Sequence, residues 1–178
     1  MQETLIHPPR TIMEVFKMLP EGTLAEVIDN TLYMSPTPIT IHQRILRKLS
    51  TEIDSFLTEN NLGELFFAPF DVFLDEKSNA VQPDILVVLN ESKHIIDESS
   101  TIHGVPDFII EILSPGNKKH DLVTKKELYE RFGVKEYWVI DPVEKEATGF
   151  SLANQRYSEF FKGKGEIKSR LLNKSFSF

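Results

Sequence analysis

The chain has 178 residues, 40% of them apolar and 26% charged, with a formal net charge of −7 and no cysteine. That composition excludes a disulfide framework, a thiolate metal site and a thiol nucleophile, and the acidity counts against a generic nucleic-acid coat, which is basic. The length suits one domain, or one domain with arms, able to bury about 70% of its unfolded surface. No apolar run approaches the roughly 20 residues of a spanning helix and no basic-then-apolar leader opens the chain, so a soluble cytoplasmic protein without membrane contact is expected.

Thr11 to Leu19 carries apolar residues at helical spacing and stops at Pro20, which predicts a short helix. Leu24–Ile28 and Thr31–Met34 flank the turn-prone pair Asp29-Asn30 and predict a hairpin. Ser35-Pro36-Thr37-Pro38 breaks any regular element. From Ile39 to about Glu59 the period changes. Ile41, Ile45, Leu49, Ile53, Phe56 and Leu57 form one stripe, with Arg44, Lys48, Glu52 and Glu59 outside it, giving the longest amphipathic helix; Asn60-Asn61-Leu62-Gly63 ends it.

Glu64 to Asp75 is predicted as one long strand, Asp75 to Asn79 as a turn, and Val81 to Leu89 as a strand apolar on both faces and therefore covered on two sides. Asn90 to Gly104 is a polar loop or short helix. Phe108 to Leu113 is a third buried strand, Ser114 to Asn117 a loop, Lys118 to Phe132 a helix stopped by Gly133, and Glu136 to Ile140 a fourth strand stopped by Asp141-Pro142. The last strand–helix–strand set is a βαβ-sized unit. Thr148–Leu152 and Arg156–Phe161 read as edge strands or a hairpin. Basic residues gather at Arg44, Arg47 and Lys48, at Lys118, Lys119, Lys125 and Lys126, and at Lys162, Lys164, Lys168 and Arg170, either as binding patches or as solvated faces.

Two acids stand in these core-like strands, Asp84 near the start of one and Glu111 in the middle of another. An ionisable group there costs several kcal/mol unless paired or metal-bound. If the strands are neighbours, both carboxylates can share a cleft, and hard oxygen ligands of this kind suit Mg²⁺. A metal there activates water and offsets charge at a phosphate. Asp121, Lys125 and Tyr129, at i, i+4 and i+8, share a helix face, and Lys125 can add a point charge or assist deprotonation of the water. Lys126 lies about 100° round the helix, so at most one of the two lysines faces the cleft. The competing readings are a turn-capping acid for Asp84, a core acid paired with Lys125 or His42 for Glu111, and an exposed helix lysine for Lys125. His42, at the start of the long helix, is more often a carboxylate partner than a ligand.

The ordered set of Glu26-Val27-Ile28-Asp29 with Met34-Ser35-Pro36, His42-Gln43-Arg44, Ala68-Pro69-Phe70-Asp71-Val72, Gln82-Pro83-Asp84, Pro106-Asp107 through Glu111-Ile112-Leu113-Ser114-Pro115, Asp121 with Lys125 and Tyr129, and Gly133-Val134 with Glu136-Tyr137-Trp138 and Asp141-Pro142 resembles the Uma2 family. That family, also catalogued as DUF820, is a branch of the PD-(D/E)XK nuclease superfamily. The likeness covers roughly residues 20 to 175. It implies an α/β, restriction-endonuclease-like fold, a mixed central sheet flanked by helices with N- and C-terminal β extensions. The expected division is an arm over 1–35, a catalytic core over 36–142 and C-terminal strands over 143–178.

The resemblance further implies a Mg²⁺-dependent endonuclease, with Mn²⁺ as substitute and DNA as substrate. Asp84 and Glu111 are then the catalytic, metal-binding acids and Lys125 the catalytic lysine. His42, Asp71, Gln82, Asp121 and Tyr129 are supporting candidates. The superfamily lysine two residues after the second acid is absent, since Leu113 stands there, and Lys125 on the following helix matches this branch. A homodimer is expected, because cutting two strands takes two sites. The alternatives are a catalytically inactive nucleic-acid-binding or assembly module on the same fold, or a metal-dependent hydrolase of another phosphate substrate.

Overall fold

The computed structural model describes residues 8–114 and 120–178, and of Asp121 the backbone alone. Helix α1 (Ile12–Lys17) begins with a reciprocal cap: Thr11 Oγ1 accepts from the Glu14 N–H at 3.1 Å and the Glu14 carboxylate accepts from the Thr11 N–H at 3.3 Å, which satisfies two otherwise orphaned donors. Strands β1 (Ala25–Ile28) and β2 (Thr31–Met34) form the expected hairpin. Asp29 and Asn30 turn it with φ of 48° and 59°, the double left-handed conformation a two-residue hairpin loop needs. Helix α2 (Thr40–Asn60) buries Ile45, Leu46, Leu49, Ile53 and Leu57. Each of these side chains contributes about 1.5–3 kcal/mol on burial. Asn61 closes the helix in the left-handed region at φ 50°.

The two long strands expected next are each broken. Residues 64–75 divide into β3 (Gly63–Phe67) and β4 (Val72–Asp75), which belong to different sheets. Pro69, which follows a cis peptide bond, has no N–H to donate to a ladder, and the apolar residues on both sides of it mask the break. Residues 81–89 likewise divide into β5 (Asn79–Val81) and β6 (Ile85–Leu89), parted by Gln82-Pro83-Asp84. The polar segment after β6 holds a 3₁₀ turn over Asn90–Ile95 and an unforeseen short strand, β7 (Ile102–His103), parallel to β4. Strand β8 (Phe108–Ile112) follows as expected.

The helix expected over 118–132 is π-helical over His120–Lys125 and becomes α3 at Lys126–Phe132; Lys118 and Lys119 lie outside the described residues. Gly133 ends α3 with φ 91°, a conformation open to glycine at little cost. Strand β9 (Glu136–Asp141) runs parallel to β8, completing the βαβ unit. In the tail, β10 (Glu146–Ala153) and β11 (Arg156–Lys164) form the expected hairpin. A second one, β12 (Glu166–Ser169) with β13 (Lys174–Ser177), was not foreseen. Each strand of that second pair buries one large apolar residue, Ile167 or Phe176, too few for a readable alternation.

The larger sheet has the order β11-β10-β9-β8-β6-β3, and the smaller the order β2-β1-β5-β4-β7. Alternate strand residues face opposite ways. Ile85, Val87, Phe108, Ile110, Trp138 and Ile140 pack with α2, Ile167 and Phe176 on one face of the larger sheet. On the other face Leu86, Val88, Ile109, Tyr137 and Val139 meet Leu128 and Tyr129 of α3 and Ile28, Val72, Val81 and Ile102 of the smaller sheet. The far side of the smaller sheet carries Val27, Phe73 and Ala80 against Met13 and Phe16 of α1. The result is the restriction-endonuclease-like α/β fold, a mixed sheet with helices on both faces. Among the described residues no helix is long and apolar enough to cross a membrane.

Candidate active site

Strands β6 and β8 are antiparallel neighbours, with Ile85 opposite Ile110. One step further along that register sets Asp84, just before β6, across from Glu111, whose side chain is on the α3 side of the sheet. Asp84 accepts the Ile112 N–H at 2.7 Å and lies 3.1 Å from His42 Nε2, which reaches it from the first turn of α2. Glu111 accepts from Lys125 Nζ at 3.0 Å and from the Tyr129 hydroxyl at 2.8 Å. Lys125 and Tyr129, four residues apart across the junction of the π-helical segment with α3, thus reach the same carboxylate. Lys126 takes another direction, its ammonium 4.3 Å from the centre of the Phe150 ring. The side chain of Asp121 lies outside the described residues.

A third acid, not singled out from the sequence, completes this cluster. Glu26 on β1 faces the interior between the two sheets, and its carboxylate is 3.0 Å from Lys125 Nζ. Lys125 therefore bridges an acid from each sheet. Glu26 is 2% exposed, Glu111 3% and Lys125 5%; Asp84 is the more open, its side chain 15% exposed. Burial opposes ionisation of Glu26, but the Lys125 charge, His120 and the Gln82 N–H (2.9 Å from Oε1) outweigh it and hold its pKa below the ordinary carboxylate value. Burial, with the Glu111 charge next, pushes the Tyr129 hydroxyl well above its ordinary pKa, so it stays a donor to Glu111. The sequence signal for Glu26 was its place in the Glu26-Val27-Ile28-Asp29 motif of the family resemblance; in the structure all four residues of its strand are buried.

Gln82 links this cluster to its surroundings. Its side-chain amide donates to Asp71 at 2.8 Å and to the Thr23 carbonyl at 3.1 Å. Burial raises the Asp71 pKa, with the Gln82 bond opposing. Asp71 and Gln82 thus pair beside the acids, and Gln82 joins them to the cluster through its backbone N–H to Glu26.

A cleft of about 70 Å³ opens onto His42, Gln82, Asp84, Glu111, Ser114 and Lys125, above the roughly 10–15 Å³ that one water requires. Among the described residues Lys125 pairs with Glu26 and Glu111 while Asp84 meets His42, so three carboxylates stand around a single lysine. The described residues contain no group of three or more His, Asp or Glu able to hold a metal by side chains alone. The carboxylate oxygens of Asp84 and Glu111 are hard donors of the kind that Mg²⁺ or Mn²⁺ takes in ones or twos beside its waters.

The basic clusters differ in kind. Lys162, Lys164 and Lys168 pair with Glu146, Glu144 and Glu166, a solvated ion-paired face. Arg44, Arg47 and Lys48 are exposed on α2.

A crystal structure described as "a putative nuclease belonging to DUF820", from Anabaena variabilis, matches with a TM-score of 0.73 at 21% identity, over 93% of this chain and 92% of that one. At that identity the match speaks for the fold. No curated protein matches. The model of the family Uma2, described as "Putative restriction endonuclease", matches residues 13–176. With that match spanning nearly the whole sequence, over a nuclease fold with paired acids at neighbouring strands, the chain belongs to the Uma2 family.

Proposed function

We propose that the protein is a Mg²⁺-dependent endonuclease that hydrolyses DNA phosphodiester bonds, with Mn²⁺ able to replace Mg²⁺. The observation that carries this reading is the pair Asp84 and Glu111, held opposite each other on neighbouring strands with Lys125 3.0 Å from Glu111. Asp84 and Glu111 would hold the ion, which supplies a Lewis acid that eases ionisation of water and offsets phosphate charge. Lys125, 3.0 Å from Glu111, would add positive charge to offset that of a bound phosphate. Glu26 anchors Lys125 from the opposite sheet, and His42 and Tyr129 fix the orientation of the two acids, as outer partners of metal ligands do. The choice of DNA rests on family analogy, and two-strand cleavage favours a homodimer.

Calorimetric titration of Mn²⁺ into the wild type and Asp84→Asn tests the metal site. Binding is expected in the first and not the second, followed by Mg²⁺-dependent nicking of plasmid DNA that the variant lacks. Equal binding in both would sink the assignment of Asp84. Sedimentation that finds only monomer at high concentration would remove the dimer.

A further inference from the structure

Beside the acids lies a second concavity that the chemistry above does not use. It measures about 480 Å³ and is lined by Thr40, Gln43, Arg44, Arg47 and Thr51 of α2, with Phe67 at the end of β3 opposite them. It adjoins the catalytic cleft through consecutive residues of two elements: His42 and Ala68 line the cleft, Gln43 and Phe67 line the groove. No carboxylate lines it, although acids outnumber bases 27 to 20 in the chain. The cleft beneath the N-terminal arm, by contrast, presents Glu21 and Asp71.

Arg44 and Arg47 sit at i and i+3 on one helix face, and both are exposed. Among the described residues neither makes an ion pair, whereas Lys17, Lys93, Lys135, Arg131 and Arg156 all do. Phe67 is 55% exposed on the outermost strand of the larger sheet. A lone exposed aromatic is unremarkable; one that shares a groove with two arginines free of ion pairs among the described residues, one residue from the cleft of the acids, has the make-up of a nucleotide seat. Thr40 to Arg47 spans about 10 Å along the helix at 1.5 Å per residue, the rise of about three stacked nucleotides.

We propose that this groove holds an unpaired nucleotide of a single-stranded segment flanking the cleaved phosphate, with Arg44 and Arg47 on its backbone and the Phe67 ring against its base. The inference rests on the nuclease reading and narrows its substrate class. In continuous duplex both faces of each base are covered by neighbours. An aromatic platform of this kind is therefore used by a base that has left the stack. Substrates with single-stranded or flayed segments are favoured over blunt duplex.

The test is fluorescence anisotropy with a labelled 12-nucleotide oligothymidine and a blunt duplex of the same length, in Ca²⁺ so that binding is read without cleavage. Wild type is expected to bind the single strand tighter. Phe67→Ala is expected to weaken that binding at least about five-fold, the lower end for loss of one stacked base, while Phe67→Trp preserves it. Arg44→Gln/Arg47→Gln is expected to lower the slope of log affinity against log salt by about 1.4, at roughly 0.7 per single-strand phosphate contact. Preference for duplex, or unchanged affinity in Phe67→Ala, overturns the proposal. So does a wild-type dimer that Phe67→Ala splits while nucleic-acid binding is unaltered, since the groove would then seat a second copy. If wild type nicks plasmid in Mg²⁺ but the groove variants bind normally, this inference fails and the nuclease reading stands; if wild type neither binds nor cuts, both fail.

Discussion

Lys125 is the residue whose removal should be felt most. Lys125→Met leaves Glu26 and Glu111, 2% and 3% exposed, without the ammonium that now lies 3.0 Å from each. Removing one partner of a buried ion pair costs about 3–5 kcal/mol. Proton uptake by one acid limits that cost. From an ordinary glutamate value of 4.5, protonation costs about 3.4 kcal/mol at pH 7 and about 1.4 kcal/mol at pH 5.5, at 1.36 kcal/mol per pH unit. Lys125→Met should therefore lose roughly 3–4 kcal/mol at pH 7 and about 2 kcal/mol less than that at pH 5.5. Urea unfolding followed by circular dichroism at the two pH values reads this directly. A loss below about 1 kcal/mol at pH 7, or one that does not change with pH, would refute the bridged geometry, because two buried carboxylates cannot lose their shared cation without either cost or proton uptake.

Glu26 titrates with the opposite emphasis. Its folded pKa lies below its unfolded value, so its contribution is present above about pH 4.5 and is lost as pH falls through the lower folded value; Glu26→Gln should flatten the acid limb of a stability–pH curve and leave a protein less stable at pH 7. Tyr129→Phe removes a donor at 2.8 Å from buried Glu111 and should cost about 1.5–3 kcal/mol, read as a lower urea midpoint; an unchanged midpoint would show that the hydroxyl is dispensable. Gly149→Ala would bring a Cβ to 2.6 Å from the Trp138 ring, an overpacking cost of about 1–3 kcal/mol, with plasmid nicking unchanged at temperatures where the variant remains folded.

The parts of the fold that were legible in the sequence are those with a strong local period or a strong local stop. The stripe from Ile45 to Leu57 marked α2, Asp29-Asn30 marked the first hairpin, and Gly133 marked the end of α3. The broken strands were hidden for a common reason. Phe66 to Phe73 and Val81 to Leu89 are mostly apolar, and composition does not say which sheet a segment joins; Pro69 and Pro83 were the clues, each a residue without a ladder donor. At the site, the family resemblance implied the side-by-side strands of Asp84 and Glu111 and the choice of Lys125, while helical spacing said only that at most one of Lys125 and Lys126 faces the cleft. Glu26 was not singled out, because an acid in a four-residue strand looks locally like a solvent-facing position. Only the packing of the smaller sheet against α3 makes it an interior group.

The bridging of two sheets by Lys125 also sets when the site comes into being. The His42 contact with Asp84 joins residues 42 apart, the Ile112 bond to the same carboxylate joins residues 28 apart, and Glu26 waits for a lysine from beyond the middle of the chain. Contacts of such sequence separation form late, after loop-closure entropy has been met. During synthesis from the N-terminus, the strands that carry Glu26 and Asp84 emerge well before the helix that carries Lys125. A nascent or partly opened chain thus has its acids without its cation, so the hydrolysis proposed for this site would belong to the finished fold alone.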